Sequence, residues 1–210
     1  MEFEIFAPFA PLRANFCGMI GGDVDHFMAR FLSEVDEDSG ESDNPLLSLG
    51  GVFVEDRLSS GMFGVGFDEL RRLLWAQIFD YERLDVLCAP SPHIYHRGYW
   101  SYGIYLRILY EIGDLDEEEY TPLAVMWLHW LTTIEVPHII VYFGGSYDVF
   151  GADFSEYVRG IYEDYLEGYA LSGTNILRLP QYQGLGLSRD AWYRMCLSLI
   201  HRALSAHLPN

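Results

Sequence analysis

The sequence predicts an α/β fold, a doubly wound parallel five-stranded sheet flanked by helices. Three observations carry that expectation. Short apolar runs alternate along the chain with longer segments of helical periodicity, the pattern of repeated β-α-β units. One short run, His138 to Phe143, is β-branched and almost wholly apolar, as a strand covered on both faces must be. A glycine-rich turn, Gly18 to Gly22, stands where the first strand passes into the first helix.

Residues 1–11 read as an extended N-terminal arm rich in Phe, in which Pro8 and Pro11 prevent a regular helix, and residues 12–210 as one domain. Arg13 to Cys17 is the first strand. Asp25 to Val35 places Phe27, Met28, Phe31, Leu32 and Val35 at helical spacing. An acidic loop, residues 36–46, follows and carries no apolar periodicity. Gly51 to Val54 is the second strand, Phe67 to Leu84 a helix, and Val86 to Ala89 a short third strand stopped by Pro90 and Pro92. Trp100 to Ile112 is helical and ends at Gly113, a C-terminal capping glycine. Asp116 to Ile134 opens with four acidic residues, where a helix favours negative charge, and continues with Leu123, Met126, Trp127, Trp130 and Leu131 at helical spacing. His138 to Phe143 is the fourth strand, Asp153 to Tyr169 an amphipathic helix, Asn175 to Leu179 the fifth strand. Ser188 to Ala206 is the last helix, with Ser188 as its N-cap.

Composition narrows the possible partners. The 210 residues hold 31 acidic and 13 basic side chains, for a formal charge of -18, and every basic residue is Arg. Nucleic acid and anionic membrane surfaces call for basic patches, so neither is expected as a partner. No apolar run reaches the roughly 18 residues of a membrane span. Cys17, Cys88 and Cys196 are scattered without C-x-x-C spacing, which predicts neither a zinc site nor a disulfide framework and fits a reducing intracellular setting. His93, His96, His129 and His138 do not share the spacing of ligands on one element, so no metal is expected.

The stretch Gly18-Met19-Ile20-Gly21-Gly22-Asp23-Val24-Asp25-His26 occupies the place of a phosphate-binding loop. A working loop reads G-x-x-x-x-G-K-[ST]: backbone N–H groups cradle phosphates, the Lys reaches the outer phosphates and the hydroxyl meets Mg²⁺. Counted from Gly18, the second glycine is Asp23, the Lys is Val24 and the hydroxyl residue is Asp25. Two carboxylates replace the groups that would hold a polyanion. With no Lys anywhere in the chain, no other lysine can take the missing role.

These nine residues align without a gap with the loop of the deoxynucleoside kinase family, G-N-I-G-S-G-K-S-T, and the chain resembles that family in further ordered matches. Ile108 to Tyr120, followed by Trp127 and Leu131, is similar to the helix, turn and helix after the family's catalytic strand. Val136 to Phe143 is similar to its proline-led fourth strand, and Ile161 to Leu166 to the helix after its lid. The resemblance spans about residues 12–206 and implies a degenerate member with an impaired phosphate site. It implies that Glu55 stands at the general-base position, with Asp56 where the family commonly has Pro, and that Gln77 matches the glutamine that reads the base edge. His96-Arg97-Gly98 matches the family's acidic residue, Arg and Ser, so that Arg97 is kept and the acid is not; the competing alignment, Ala89-Pro90-Ser91, loses the Arg as well. The arginine-rich lid has no counterpart, since Gly144 to Glu156 contains no basic residue.

Phosphoryl transfer depends on positioning and charge stabilisation by Lys, Arg and Mg²⁺, so these losses predict a non-catalytic protein without a cofactor. Two roles follow. One is a structural or interaction subunit of a larger assembly, which the 5 Trp, 15 Tyr and 13 Phe favour because aromatic side chains are enriched at interfaces. The other is a nucleoside or nucleotide sensor using Glu55, Gln77 and Arg97, although each also has a plain structural reading as a turn carboxylate, a helix-surface amide or an ion-pair partner; an active nucleoside kinase is the remaining alternative. The resemblance also implies a homodimer through residues 100–134, around Trp100, Trp127 and Trp130.

Overall fold

The computed structural model describes residues 12–18, 22–37, 46, 52–54, 65–88, 93–132, 136–145 and 152–207. The expected arm, most of the acidic loop, and Glu55 lie outside them. The elements run β1 (Arg13–Gly18), α1 (Asp23–Glu37), β2 (Val52–Val54), α2 (Phe67–Cys88), β3 (His93–His96), α3 (Tyr102–Glu111), α4 (Glu117–Leu131), β4 (Ile139–Phe143), α5 (Ala152–Leu171), β5 (Asn175–Leu179) and α6 (Arg189–Ser205), with a 3-10 turn at Tyr99–Ser101. The strands lie in the order β2-β3-β1-β4-β5 and every pairing is parallel. Four strands of four to six residues carry the sheet, and the three-residue β2 is added at one edge.

Alternation along the strands feeds two separate cores. Ala14 and Phe16 of β1, Ile94 of β3, and Ile139, Val141 and Phe143 of β4 face α1 and α6, where they meet Phe27, Phe31, Trp192 and Ile200. Cys17, Tyr95, Ile140 and Tyr142 face the opposite way, onto Leu74 of α2, Tyr105 of α3, Trp127 of α4 and Tyr162 of α5. Because successive strand side chains point to opposite faces, one apolar run such as Ile139–Phe143 serves both layers. Gly18 closes β1 beside β4, where a Cβ would stand 2.7 Å from the Phe143 carbonyl oxygen.

Helix ends follow local chemistry. Asp116 caps α4: its carboxylate accepts from the Glu119 N–H (2.9 Å) and the Glu119 carboxylate accepts from the Asp116 N–H (3.2 Å), a reciprocal capping box. Gly113 has φ +81°, the left-handed conformation that ends α3. Ser188 caps α6 through the Ala191 N–H.

One expected element is corrected. Val86 to Ala89 is not the third strand: Val86 to Cys88 are the last residues of α2, and the strand is His93–His96, after Pro92. Three successive apolar residues fit a final helical turn as well as a short buried strand, and only the length of the preceding periodic segment separates the two. The helix α1 likewise begins two residues before the expected Asp25, which puts both Asp23 and Asp25 in its first turn.

Candidate functional site

The site forms where β1 and β3 end beside the start of α1. Parallel pairing sets Phe16 of β1 opposite His96 of β3 and brings the next residue, Arg97, over the end of β1. The Arg97 N–H donates to the Phe16 carbonyl (2.6 Å). Arg97 adopts φ +48°, the one positive value outside glycine among the described residues. A left-handed non-glycine backbone costs free energy and persists only where its surroundings hold it. Asn15 does part of that holding. Buried in β1, it accepts the Gly98 N–H at 2.6 Å and donates to the Ser101 hydroxyl at 3.1 Å, so one amide ties both sides of the turn.

The Arg97 side chain is 1% exposed and lies against the first turn of α1. Its Nη1 and Nη2 approach the two carboxylate oxygens of Asp25 at 2.6 and 2.7 Å, a two-point pair. Its Nε donates to the Gly18 carbonyl at 3.4 Å, and the Tyr162 hydroxyl donates to the same oxygen at 2.7 Å. Burial opposes the Arg97 charge, but Tyr105 and Asp25 more than offset it, and its pKa lies above the ordinary arginine value. His96 stands next to the pair, with Nε2 3.5 Å from Asp25.

Asp23 faces the other side of the same helix end. Its carboxylate accepts the Tyr182 N–H at 2.9 Å, and burial pushes its pKa above the usual aspartate value despite that bond and the nearby His26 and Arg189. Gly145 packs on the helix start so closely that a Cβ there would lie 3.3 Å from the Asp23 nitrogen. A cleft of about 300 Å³ opens beside it, lined by Asp23, His26, Arg30, Tyr182, Arg189 and Trp192 among others. Between the two carboxylates, Val24 is fully buried and packs into the α1–α6 core. It is the first member of the stripe continued by Phe27, Met28 and Phe31, and its Cγ1 would lie 3.1 Å from a Cβ at Gly18, so its side chain packs beneath the end of β1.

The expected site residues therefore separate. Gly18, Gly22, Asp23, Val24, Asp25 and Arg97 come together at the end of β1, whereas Gly21 and Glu55 lie outside the described residues. Gln77 falls on α2, and its side chain is also outside them. Asn15 and Tyr162 belong to the site and are not legible as such in the sequence, whereas His96 joins it from the His96-Arg97-Gly98 stretch already singled out. The amide set between the apolar Ala14 and Phe16 of the first strand was the available signal for Asn15. Among the described residues no group of three His, Cys, Asp or Glu side chains is placed to hold a metal ion, and no helix is long and apolar enough to cross a membrane.

No family model and no curated protein matches the chain by sequence. Solved structures share its fold. A NadR protein in complex with NR superposes with a TM-score of 0.58 at 12% identity, covering 92% of this chain and 50% of that one, so the present chain spans half the length of this neighbour. Deoxyadenosine kinase from M.mycoides, with bound dATP, superposes with a TM-score of 0.57 at 12% identity, covering 92% of this chain and 100% of the kinase. The protein therefore has a fold similar to deoxyadenosine kinase and NadR, a parallel sheet flanked by helices.

Proposed function

We propose that this chain is a non-catalytic protein of deoxynucleoside-kinase-like fold with a degenerate phosphate loop, serving as an interaction subunit of a larger protein assembly. The observation that carries the reading is the Arg97–Asp25 pair at the start of α1. A helix N-terminus with free N–H groups is a natural seat for phosphate. Here the first turn of α1 carries two carboxylates of the chain's own, Asp25 held by Arg97 and Asp23 by the Tyr182 N–H. Val24, at the position of the phosphate lysine, is spent in the core. An incoming triphosphate would have to displace two internal anions without a lysine to offset its charge. The aromatic-rich composition supports the interaction role, in which other subunits of an assembly are the partners. Of the tryptophans between residues 100 and 134, Trp100 and Trp127 are buried within the chain's own core, while Val125 and Leu128 of α4 are exposed.

The test pairs ATP titration by calorimetry with a transfer assay from ATP to a panel of deoxynucleosides. Neither binding heat nor phosphorylated product is expected. Product formation abolished by Glu55→Gln would overturn the reading. Nucleoside-induced stabilisation lost in Gln77→Ala, without product, would favour a nucleoside-binding module instead.

A further inference from the structure

We propose that His138 is an acid-sensitive clasp that closes the N-terminal edge of the sheet and opens when its imidazole takes up a proton. Three hydrogen bonds meet at this residue, just before β4 begins. Its backbone N–H donates to the Arg13 carbonyl (2.9 Å), its backbone carbonyl accepts the Asn175 N–H (3.0 Å), and its Nδ1 accepts the Arg13 N–H (3.1 Å). One histidine thus holds both backbone groups of the first residue of β1 and the N–H of the first residue of β5. The bond to Nδ1 decides the chemistry. A backbone N–H only donates, so Nδ1 must offer a lone pair, and the hydrogen bond assigns the neutral tautomer with its proton on Nε2. A proton added at Nδ1 turns this acceptor into a donor. The Arg13 N–H, fixed in the main chain, has no second atom to present in its place.

Among the described residues, the titratable and charged groups of every neighbouring element can be named. None of the five strands contains Asp or Glu. Arg13, buried on β1 and permanently charged, stands in register with His93 of β3, which is fully buried with Nδ1 3.3 Å from the Tyr95 hydroxyl. α5 ends beside Thr174, whose N–H donates to the Tyr169 carbonyl (3.1 Å), and it carries no charge from Gly168 to Leu171. The last turn of α4 contributes His129, whose ring lies 6.1 Å from Trp130. On α6, His207 Nε2 lies 2.6 Å from Nδ2 of Asn175. That amide can rotate and offer its oxygen to a protonated ring, so the His207 contact survives acid. The clasp at Arg13 does not. Its contribution to stability is complete above about pH 6.5, where an unfolded histidine titrates, and is lost as pH falls below it, because the unfolded chain then binds a proton that the closed clasp excludes. Since β1 is the middle strand, with β3 and β4 beside it, opening there loosens the centre of the sheet.

The test compares the full chain with its His138→Asn variant between about pH 8 and about pH 5, the range in which histidine changes charge. Asparagine sets its side-chain oxygen near the place of Nδ1 and gains no proton there. Resonances of the Arg13 amide and the His138 ring are followed by NMR, and stability by urea unfolding. In the parent, the Arg13 amide is expected to shift with the same midpoint as the ring. Its exchange protection, corrected for the intrinsic rate, is expected to fall about tenfold or more across the range. Relative to the variant, the parent's folding equilibrium is expected to fall by up to about tenfold per pH unit below about pH 6.5. His138→Asn should keep the Arg13 amide protected throughout. Should the variant not fold, the parent's two midpoints decide alone, since the clasp requires them to coincide. A ring that titrates while the Arg13 amide stays still, or protection and stability that fall equally in both proteins, would overturn the proposal.

Discussion

Removing either partner of the Arg97–Asp25 pair should destabilise the protein, and the two removals should not be equal. Arg97 is 1% exposed and Asp25 is 30% exposed at the side chain. Arg97→Met keeps most of the volume and leaves a carboxylate that water can reach and that α1's first turn still favours. Asp25→Ala leaves a guanidinium enclosed beneath the sheet end, with the Gly18 carbonyl still within reach. Breaking a buried pair from one side costs about 3–5 kcal/mol, so Arg97→Met belongs near the lower figure and Asp25→Ala near the upper. At roughly 2–4 °C per kcal/mol for a chain of this size, the milder loss lowers the melting temperature by about 6–12 °C. The double variant should recover part of the loss, because neither charge is then stranded, giving a coupling on the order of 1–3 kcal/mol in the cycle. Thermal and urea unfolding of the four proteins measure it. Additive losses, or an Arg97→Met variant as stable as the parent, would refute the structural role of the pair and return Arg97 to the list of groups free to meet a ligand.

Gly103 of α3 lies where a Cβ would overlap the Tyr165 hydroxyl and the Trp127 ring, so Gly103→Ala should cost about 1–3 kcal/mol by overpacking, read by urea unfolding. Asp116→Ala removes the carboxylate of the α4 capping box and should cost about 1 kcal/mol in the same measurement. Asp23 has a folded-state pKa raised above the model-compound value of 3.8, so its stabilising contribution is present below that pH and is lost as pH rises through the folded value. Asp23→Asn should therefore match the parent in acid and overtake it in melting temperature toward neutral pH. Cys17 and Cys196 are buried, with burial pushing both thiols up to about 12, and a disulfide reagent should label them only after unfolding.

Most of the architecture was legible because it rests on period. The wholly apolar β4 and the periodic stripes of α1, α4 and α6 can be read one segment at a time, and the structure places them within a few residues of expectation. The third strand was not legible, since Val86-Leu87-Cys88 carries no periodic information of its own. At the site, Gly18, Asp23, Val24 and Asp25 were visible through their loop spacing. That Asp25 would meet Arg97 was not, because the two are joined by a register between β1 and β3 that no local pattern encodes. Val24 could have been assigned inward from its place in the Phe27 and Phe31 stripe. Spacing along the loop marks Val24 by the lysine it lacks, and spacing along α1 marks it as core.

The strand order has a consequence for how the chain is made. β1 is the middle strand, yet its neighbours are β3 and β4, so Phe16 waits for His96 on one side and Val141 on the other. During synthesis the first strand and the apolar stripe of α1 leave the ribosome long before either neighbour is available. Closing such distant pairs is slow, and unpaired strand edges in the interval invite association with other chains. Refolding from urea should therefore be more prone to aggregation than the net charge of -18 alone would suggest. A nascent chain released before β4 would hold its central strand with one side open.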